Sequence, residues 1–195
     1  MNQFSLEKQS ILLDKIILES VVEVTGINSL DPLLKALPGA PDTGGDFSTF
    51  QTSLEELYGT CGGHGVAQRS GKVIFHKLLR AYRDELDLQR MDFRLMPTRT
   101  RQRTGLDALA RLLAGLTEAQ IEREETADAW IWRVKGGSSC FSRCTSEPDC
   151  YFMVGILQEF LSWAGGGKYY RVTELECQGC GAETCLLRME KTPLD

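Results

Sequence analysis

The sequence predicts an α+β fold, with helices packed on a small antiparallel sheet. Three observations carry this. Apolar residues recur at helical spacing from the N-terminus to Leu116. After Leu116 the pattern changes to the alternation of half-buried strands. A single late helix then separates two strand-rich stretches, without the regular β-α-β order of a parallel sheet.

Ile11, Leu12, Ile16, Ile17, Val21 and Val22 recur at helical spacing and predict a helix over 6–25, closed by Gly26. Leu13, Leu18 and Val24 widen its apolar stripe, which suits burial against its own domain or a second subunit alike. The chain is read as a single domain over 1–195, with 1–45 a helical N-terminal extension used in dimerisation. A short helix is expected at 31–37, then a loop through Pro38, Gly39, Pro41, Gly44 and Gly45. Helices follow over 47–58 and 73–88, the second with Val73, Phe75, Leu78, Leu79 and Tyr82 on one side. Between them, Cys61-Gly62-Gly63-His64-Gly65 is expected to be a flexible loop. Pro97 breaks the chain before an amphipathic helix at 106–116.

Strands are expected at 119–123 and 129–134, where Trp130 and Trp132 alternate with Ile131 and Arg133. A cysteine-bearing loop with Cys140 and Cys144 follows. Asp149 has the chemistry of an N-cap for a helix from Cys150 to Trp163, which Gly165, Gly166 and Gly167 terminate. The last elements are a strand over 169–176, a turn at Gly179 and Gly181, and a returning strand over 184–190.

The net charge of −5 argues against nucleic acid as a partner. Arg99, Arg101 and Arg103 are the one basic run, suited to a solvated surface or an anionic contact. The apolar stretch 11–24 carries Asp14, Lys15, Glu19 and Glu23, so no transmembrane segment is expected. The N-terminus lacks the pattern of a signal peptide, which predicts a cytoplasmic protein. In that compartment seven cysteines point to metal or redox chemistry before disulfides.

Four candidate ligands fall in one supersecondary unit: Cys150, Glu174, Cys177 and Cys185. Cys150 opens a helix, whose positive end favours the thiolate a metal needs. Glu174 and Cys177 end one strand and Cys185 begins the next, so a hairpin brings them together. Three thiolates and a carboxylate suit tetrahedral zinc in a closed, structural site. Glu174 and Cys177 are three apart, however, and point to opposite faces of a regular strand. They can share a metal only if the strand bends or ends near Glu176. Cys180 is the substitute ligand. An iron–sulfur cluster on Cys140, Cys144, Cys150 and Cys180 is the alternative cofactor. Redox cysteines and ordinary buried thiols stay open beside both.

The same residues carry a family resemblance. Cys150 with Phe152-Met153-Val154-Gly155, the run Lys168-Tyr169-Tyr170-Arg171-Val172-Thr173-Glu174-Leu175-Glu176-Cys177, and Gly181-Ala182-Glu183-Thr184-Cys185 resemble the 4-vinyl-reductase domain. That domain occurs in proteins linked to bacteriochlorophyll and chlorophyll biosynthesis, and as the sensory module of phenol- and xylene-responsive transcription activators. The resemblance covers 149–190, and more loosely the chain from Ser70 onward. It implies an α+β fold shared with subunits of a vesicle-trafficking tether, usually dimeric. It also implies zinc on Cys150, Glu174, Cys177 and Cys185, beside a pocket for small apolar molecules. The phenol sensors hold the ligand hydroxyl with a His and a Trp. Trp130 matches the Trp, but His64 and His76, the only histidines, do not fall where the His belongs.

The expected function is therefore a zinc-stabilised domain that binds a hydrophobic small molecule, a tetrapyrrole or its precursor by family analogy. It would act as carrier, sensor or assembly factor in pigment or photosystem biogenesis. Trp130, Trp132 and Phe152 are the candidate pocket walls. His64 is a candidate hydrogen-bonder or axial ligand to a tetrapyrrole metal. The second reading is a vinyl-reductase component using an iron–sulfur cluster, since no Gly-x-Gly-x-x-Gly follows a strand. The third is a purely structural interaction protein.

Overall fold

In a computed structural model, which describes residues 3–26, 47–137 and 145–194, the first predicted helix is α1, Gln3–Thr25. Its Leu13, Ile16, Ile17 and Val21 are buried, spaced so that they share one face. That face packs on α2, Phe47–Ala81, and on α5, Thr98–Thr117. The expected helix at 31–37, the loop after it, and Cys140 and Cys144 lie outside the described residues.

The Cys61–Gly65 stretch is helical, which corrects the expectation of a loop. Helix α2 is bent at Gly59, with φ 71° and ψ 164°, and then resumes. The glycines serve the bend: a Cβ on Gly63 would sit 2.7 Å from the backbone nitrogen of Glu55. The two arms of α2 touch there only because position 63 has no side chain. After the short helices α3, Arg83–Leu86, and α4, Met91–Leu95, Pro97 occupies the N-cap of α5. That helix starts well before Leu106, because Arg99, Arg101 and Arg103 are good helix formers.

Strands β1, Gln120–Glu125, β2, Ala129–Lys135, β3, Tyr170–Glu176, and β4, Cys185–Pro193, form one antiparallel sheet in the order β1-β2-β4-β3. Its register pairs Trp130 with Met189, Trp132 with Leu187 and Val134 with Cys185. All six are buried on the inner face. The outer face carries ion pairs such as Arg133–Glu124 at 2.7 Å. This is the one-sided burial of an antiparallel sheet under helices.

Helix α6, Tyr151–Ala164, crosses α2 at Gly71 and Gly155. Each glycine lets the partner's backbone approach. Cys150, not Asp149, takes the N-cap position of α6, without a side-chain cap bond. Arg101 closes the other end, donating from Nε to the Ala164 carbonyl at 2.7 Å. No helix among the described residues is long and apolar enough to cross a membrane.

Candidate metal centre and ligand cavity

Cys150 reaches the cluster from the start of α6, Glu174 from β3, Cys177 from just beyond β3, and Cys185 from the start of β4. Their ligand atoms all lie within 4.8 Å of one another. The spacing problem of Glu174 and Cys177 is resolved locally. The β3–β4 register shifts between Glu174 and Glu176, and β3 ends there. The bulge turns the strand by one residue, so Cys177 faces the same side as Glu174. Cys180, on the following 3₁₀ turn, is exposed and outside the cluster.

The donor set fits a metal. Cys150 Sγ and Cys185 Sγ are 3.7 Å apart, against an edge of about 3.8 Å for a tetrahedron with metal–sulfur bonds of about 2.3 Å. Glu174 Oε2 accepts the Cys150 backbone N–H at 2.7 Å, while its buried Oε1 has no hydrogen-bond partner. An orphaned carboxylate oxygen among three sulfurs is a ligand atom in waiting. Cys150 is disulfide-bonded, whereas Cys177 and Cys185 are free. The four-ligand set therefore belongs to the reduced chain.

Proton positions follow from burial and hydrogen bonding. Burial pushes the Glu174 carboxyl up to about 8. Cys177 is drawn down to about 5, because its sulfur accepts from the Cys185 thiol and from the Asp149 and Gly179 N–H groups. Cys185 is raised by that donation and by burial.

In the metal-free chain the Glu174 and Cys177 shifts oppose each other. Glu174 binds extra protons in the native state from about 4.5 to 8, so stability falls as pH rises through that window. Cys177 binds fewer from about 5 to 9, so stability rises there. Metal binding must displace the protons of Glu174 and Cys185. Zinc affinity of the reduced chain is therefore expected to climb with pH through about 8, where Glu174 loses its proton, and to go on climbing beyond it because Cys185 is raised too, with protons released. Calorimetric titration in two buffers of different ionisation enthalpy measures that release. A pH-independent affinity would contradict it.

The candidate ligand residues are not gathered in one place. Phe152 lines a cavity of ≈ 20 Å³ beside the cluster, with Cys150, Cys177 and Cys185. That space holds about one water. Trp130 and Trp132 line a different cavity of ≈ 250 Å³, between α5 and the inner face of β1 and β2. Leu106 completes its apolar wall, and ion pairs rim it: Arg123–Asp107 at 2.6 Å and Arg103–Glu125 at 3.3 Å. Arg99 and Lys191 sit 5.7 and 5.3 Å from the Trp130 ring centroid, within cation–π range. The Arg99–Arg103 run is thus used within the fold. His64 lines neither cavity; it stacks on Tyr151 with centroids 4.0 Å apart.

Gln102 was missed in the sequence. It is fully buried, and neither atom of its amide has a hydrogen-bond partner. It lies one turn before Leu106 on α5, at the spacing that shares a face. The buried Trp130 Nε1 also lacks a partner. A glutamine in a helical pattern is ordinarily a surface residue, so only burial could reveal it.

Neither the protein-family models nor the curated proteins searched match the chain. Solved structures do. An H-NOX protein from S. oneidensis in the Fe(II)NO ligation state is 15% identical, with a TM-score of 0.62 over 95% of this chain and 99% of that one. Both kinds of protein that the sequence resembles are also among the matches. The phenol-responsive sensory domain of the transcription activator PoxR is 18% identical, with a TM-score of 0.48 over 83% of this chain and 87% of that one. A vinyl-4-reductase family protein from Methanocaldococcus jannaschii is 14% identical, with a TM-score of 0.47 over 87% and 98%. The chain shares its α+β fold with the H-NOX proteins, and carries in it a Cys/Glu cluster able to hold a metal.

Proposed function

We propose that the chain is a metal-stapled domain that binds a small, largely apolar, ring-shaped molecule. The observation that supports it most is the ≈ 250 Å³ cavity floored by Trp130 and Trp132. The Nε1 of Trp130, a lining residue, is buried without a partner, as is the amide of Gln102, one turn before the lining residue Leu106. Each such group costs about 1–3 kcal/mol. A ligand with one acceptor and one donor offsets that cost, while its ring packs on indole and Leu106.

Zinc on Cys150, Glu174, Cys177 and Cys185 serves the cavity indirectly. It ties the β3–β4 hairpin to α6, and β4 pairs with β2, the strand of both tryptophans. Within the ligand class, the family resemblance favours a tetrapyrrole or its precursor, with a carrier, sensor or assembly role in pigment biogenesis. A second copy of the chain is the expected protein partner.

Tryptophan fluorescence titrated with phenol, and separately with protoporphyrin, tests the reading. Saturable quenching is expected for at least one, with Trp130→Ala weakening it by about tenfold or more. No saturable binding of either would overturn it. Elemental analysis with an absorption spectrum on the same reduced sample separates zinc, which is colourless, from a brown iron–sulfur cluster.

Gln102→Met gives a prediction of opposite signs. Removing the unpartnered amide while keeping its volume is expected to stabilise the ligand-free chain by about 1 kcal/mol. The same change is expected to weaken the ligand. Denaturant melts with and without ligand measure both. A destabilised free chain would mean that Gln102 is satisfied in solution.

A further inference from the structure

We infer that Glu55, His64 and Asp149 form a second cation site, of nitrogen and oxygen ligands, next to the thiolate cluster. The three ligand atoms lie within 4.8 Å of one another. The fold builds this arrangement deliberately into the bend of α2. Glu55 is on the first arm and His64 on the second. The bend at Gly59 and the bare backbone of Gly63 bring residues nine apart to 3.0 Å, His64 Nε2 to Glu55 Oε1. Tyr151 fixes the imidazole plane by stacking at 4.0 Å and 19°. His64 and Glu55 have side chains only 20% and 17% exposed.

A second, independent observation points to an occupant. Gln51 is 2% exposed and donates from Nε2 to Glu55 Oε1 at 2.9 Å, which orients its amide. Its carbonyl oxygen, Oε1, is buried and has no hydrogen-bond partner. Gln51, Asp149 and Tyr151 line the ≈ 20 Å³ cavity that Cys150, Cys177 and Cys185 line from the other side, room for about one water. Three protein ligands leave a coordination position open. A cation-bound water in that cavity would donate to Gln51 Oε1, and nothing else among the described residues does.

One histidine and two carboxylates select a harder ion than the sulfur cluster does, such as Mn²⁺ or Fe²⁺. The two sites share a backbone segment. Asp149 offers its carboxylate to one, while its N–H donates to Cys177 and the next residue, Cys150, belongs to the other. This also explains why Asp149 does not cap α6.

Mn²⁺ titrated into the reduced, zinc-loaded full chain tests the site by electron paramagnetic resonance. One saturable Mn²⁺ per chain is expected. His64→Ala and Asp149→Asn should each weaken it about tenfold or more, while Cys185→Ala should leave it within about twofold. With only two histidines in the chain, ring NMR signals give a readout independent of folding. Mn²⁺ should broaden His64 and spare His76, which pairs with Glu159 elsewhere. Equal binding in both ligand variants, broadening of His76 instead, or no saturable Mn²⁺ would each overturn the site. Loss of zinc in Cys185→Ala with Mn²⁺ retained would show that the two sites stand separately.

Discussion

Replacing Cys185 by alanine is expected to abolish stoichiometric zinc binding and to lower the melting temperature by roughly 8–16 °C. Cys185 is 1% exposed and begins β4 opposite Val134. Its sulfur also accepts the Gln178 N–H at 3.3 Å. A metal held only by the native chain, at about a thousandfold above its dissociation constant, contributes about 4 kcal/mol. For a chain of this size each kcal/mol is worth roughly 2–4 °C. Losing one ligand of four leaves the hairpin joined to α6 by packing and by the Cys150 N–H bond to Glu174. Elemental analysis and thermal melts check the prediction. Chelator should bring the reduced wild type to the melting temperature of the variant, and should leave the variant unmoved. Unchanged metal content in Cys185→Ala would remove this residue from the ligand set.

Gly155→Ala is expected to destabilise the chain by about 3 kcal/mol or more, the upper end for overpacking. A Cβ at 155 would meet the Gln68 carbonyl oxygen at 2.1 Å and Gly71 Cα at 3.0 Å. Both are backbone atoms, so no side chain can rotate away. The helices must separate, and α6 carries Cys150 at its start. The variant should therefore lose metal affinity as well as stability, although it touches no ligand. Gly71→Ala meets the Phe152 carbonyl oxygen at 2.3 Å and should behave alike. Gly115→Ala, with nothing within 4 Å of its Cβ, is the control, expected to stabilise helix α5 by a few tenths to about 1 kcal/mol. Chemical denaturation of the three variants separates these outcomes. A stable Gly155→Ala would mean that α2 and α6 do not cross in van der Waals contact.

The α+β order was readable because each element announces itself by local period. Trp130 and Trp132 alternate with Ile131 and Arg133, and the structure buries the tryptophans on one face of β2. Pro97 and the Gly165–Gly167 run mark boundaries by backbone chemistry, which acts locally. The cysteine and glutamate cluster was readable for a related reason. Its members sit at the ends of neighbouring elements, and a hairpin and a preceding helix can close only in a few ways.

What misled was residue type used for two purposes. The glycines around His64 look like a loop, yet they permit a bent helix whose arms touch. Asp149 has the chemistry of a helix cap, yet its carboxylate meets His64 and Glu55. Gln102 looks like a surface residue and is fully buried.

By itself the sequence determined most of the elements and their order, and grouped Cys150, Glu174, Cys177 and Cys185 as candidate ligands, because period, turn chemistry and chain proximity are local properties. Only the tertiary structure decided the β3 bulge that lets Glu174 and Cys177 face together. It alone placed Trp130 and Trp132 at a cavity apart from Phe152, and gathered Glu55, His64 and Asp149. Those outcomes depend on how distant segments approach, and close approach is set by packing across the core rather than by any short stretch of chain.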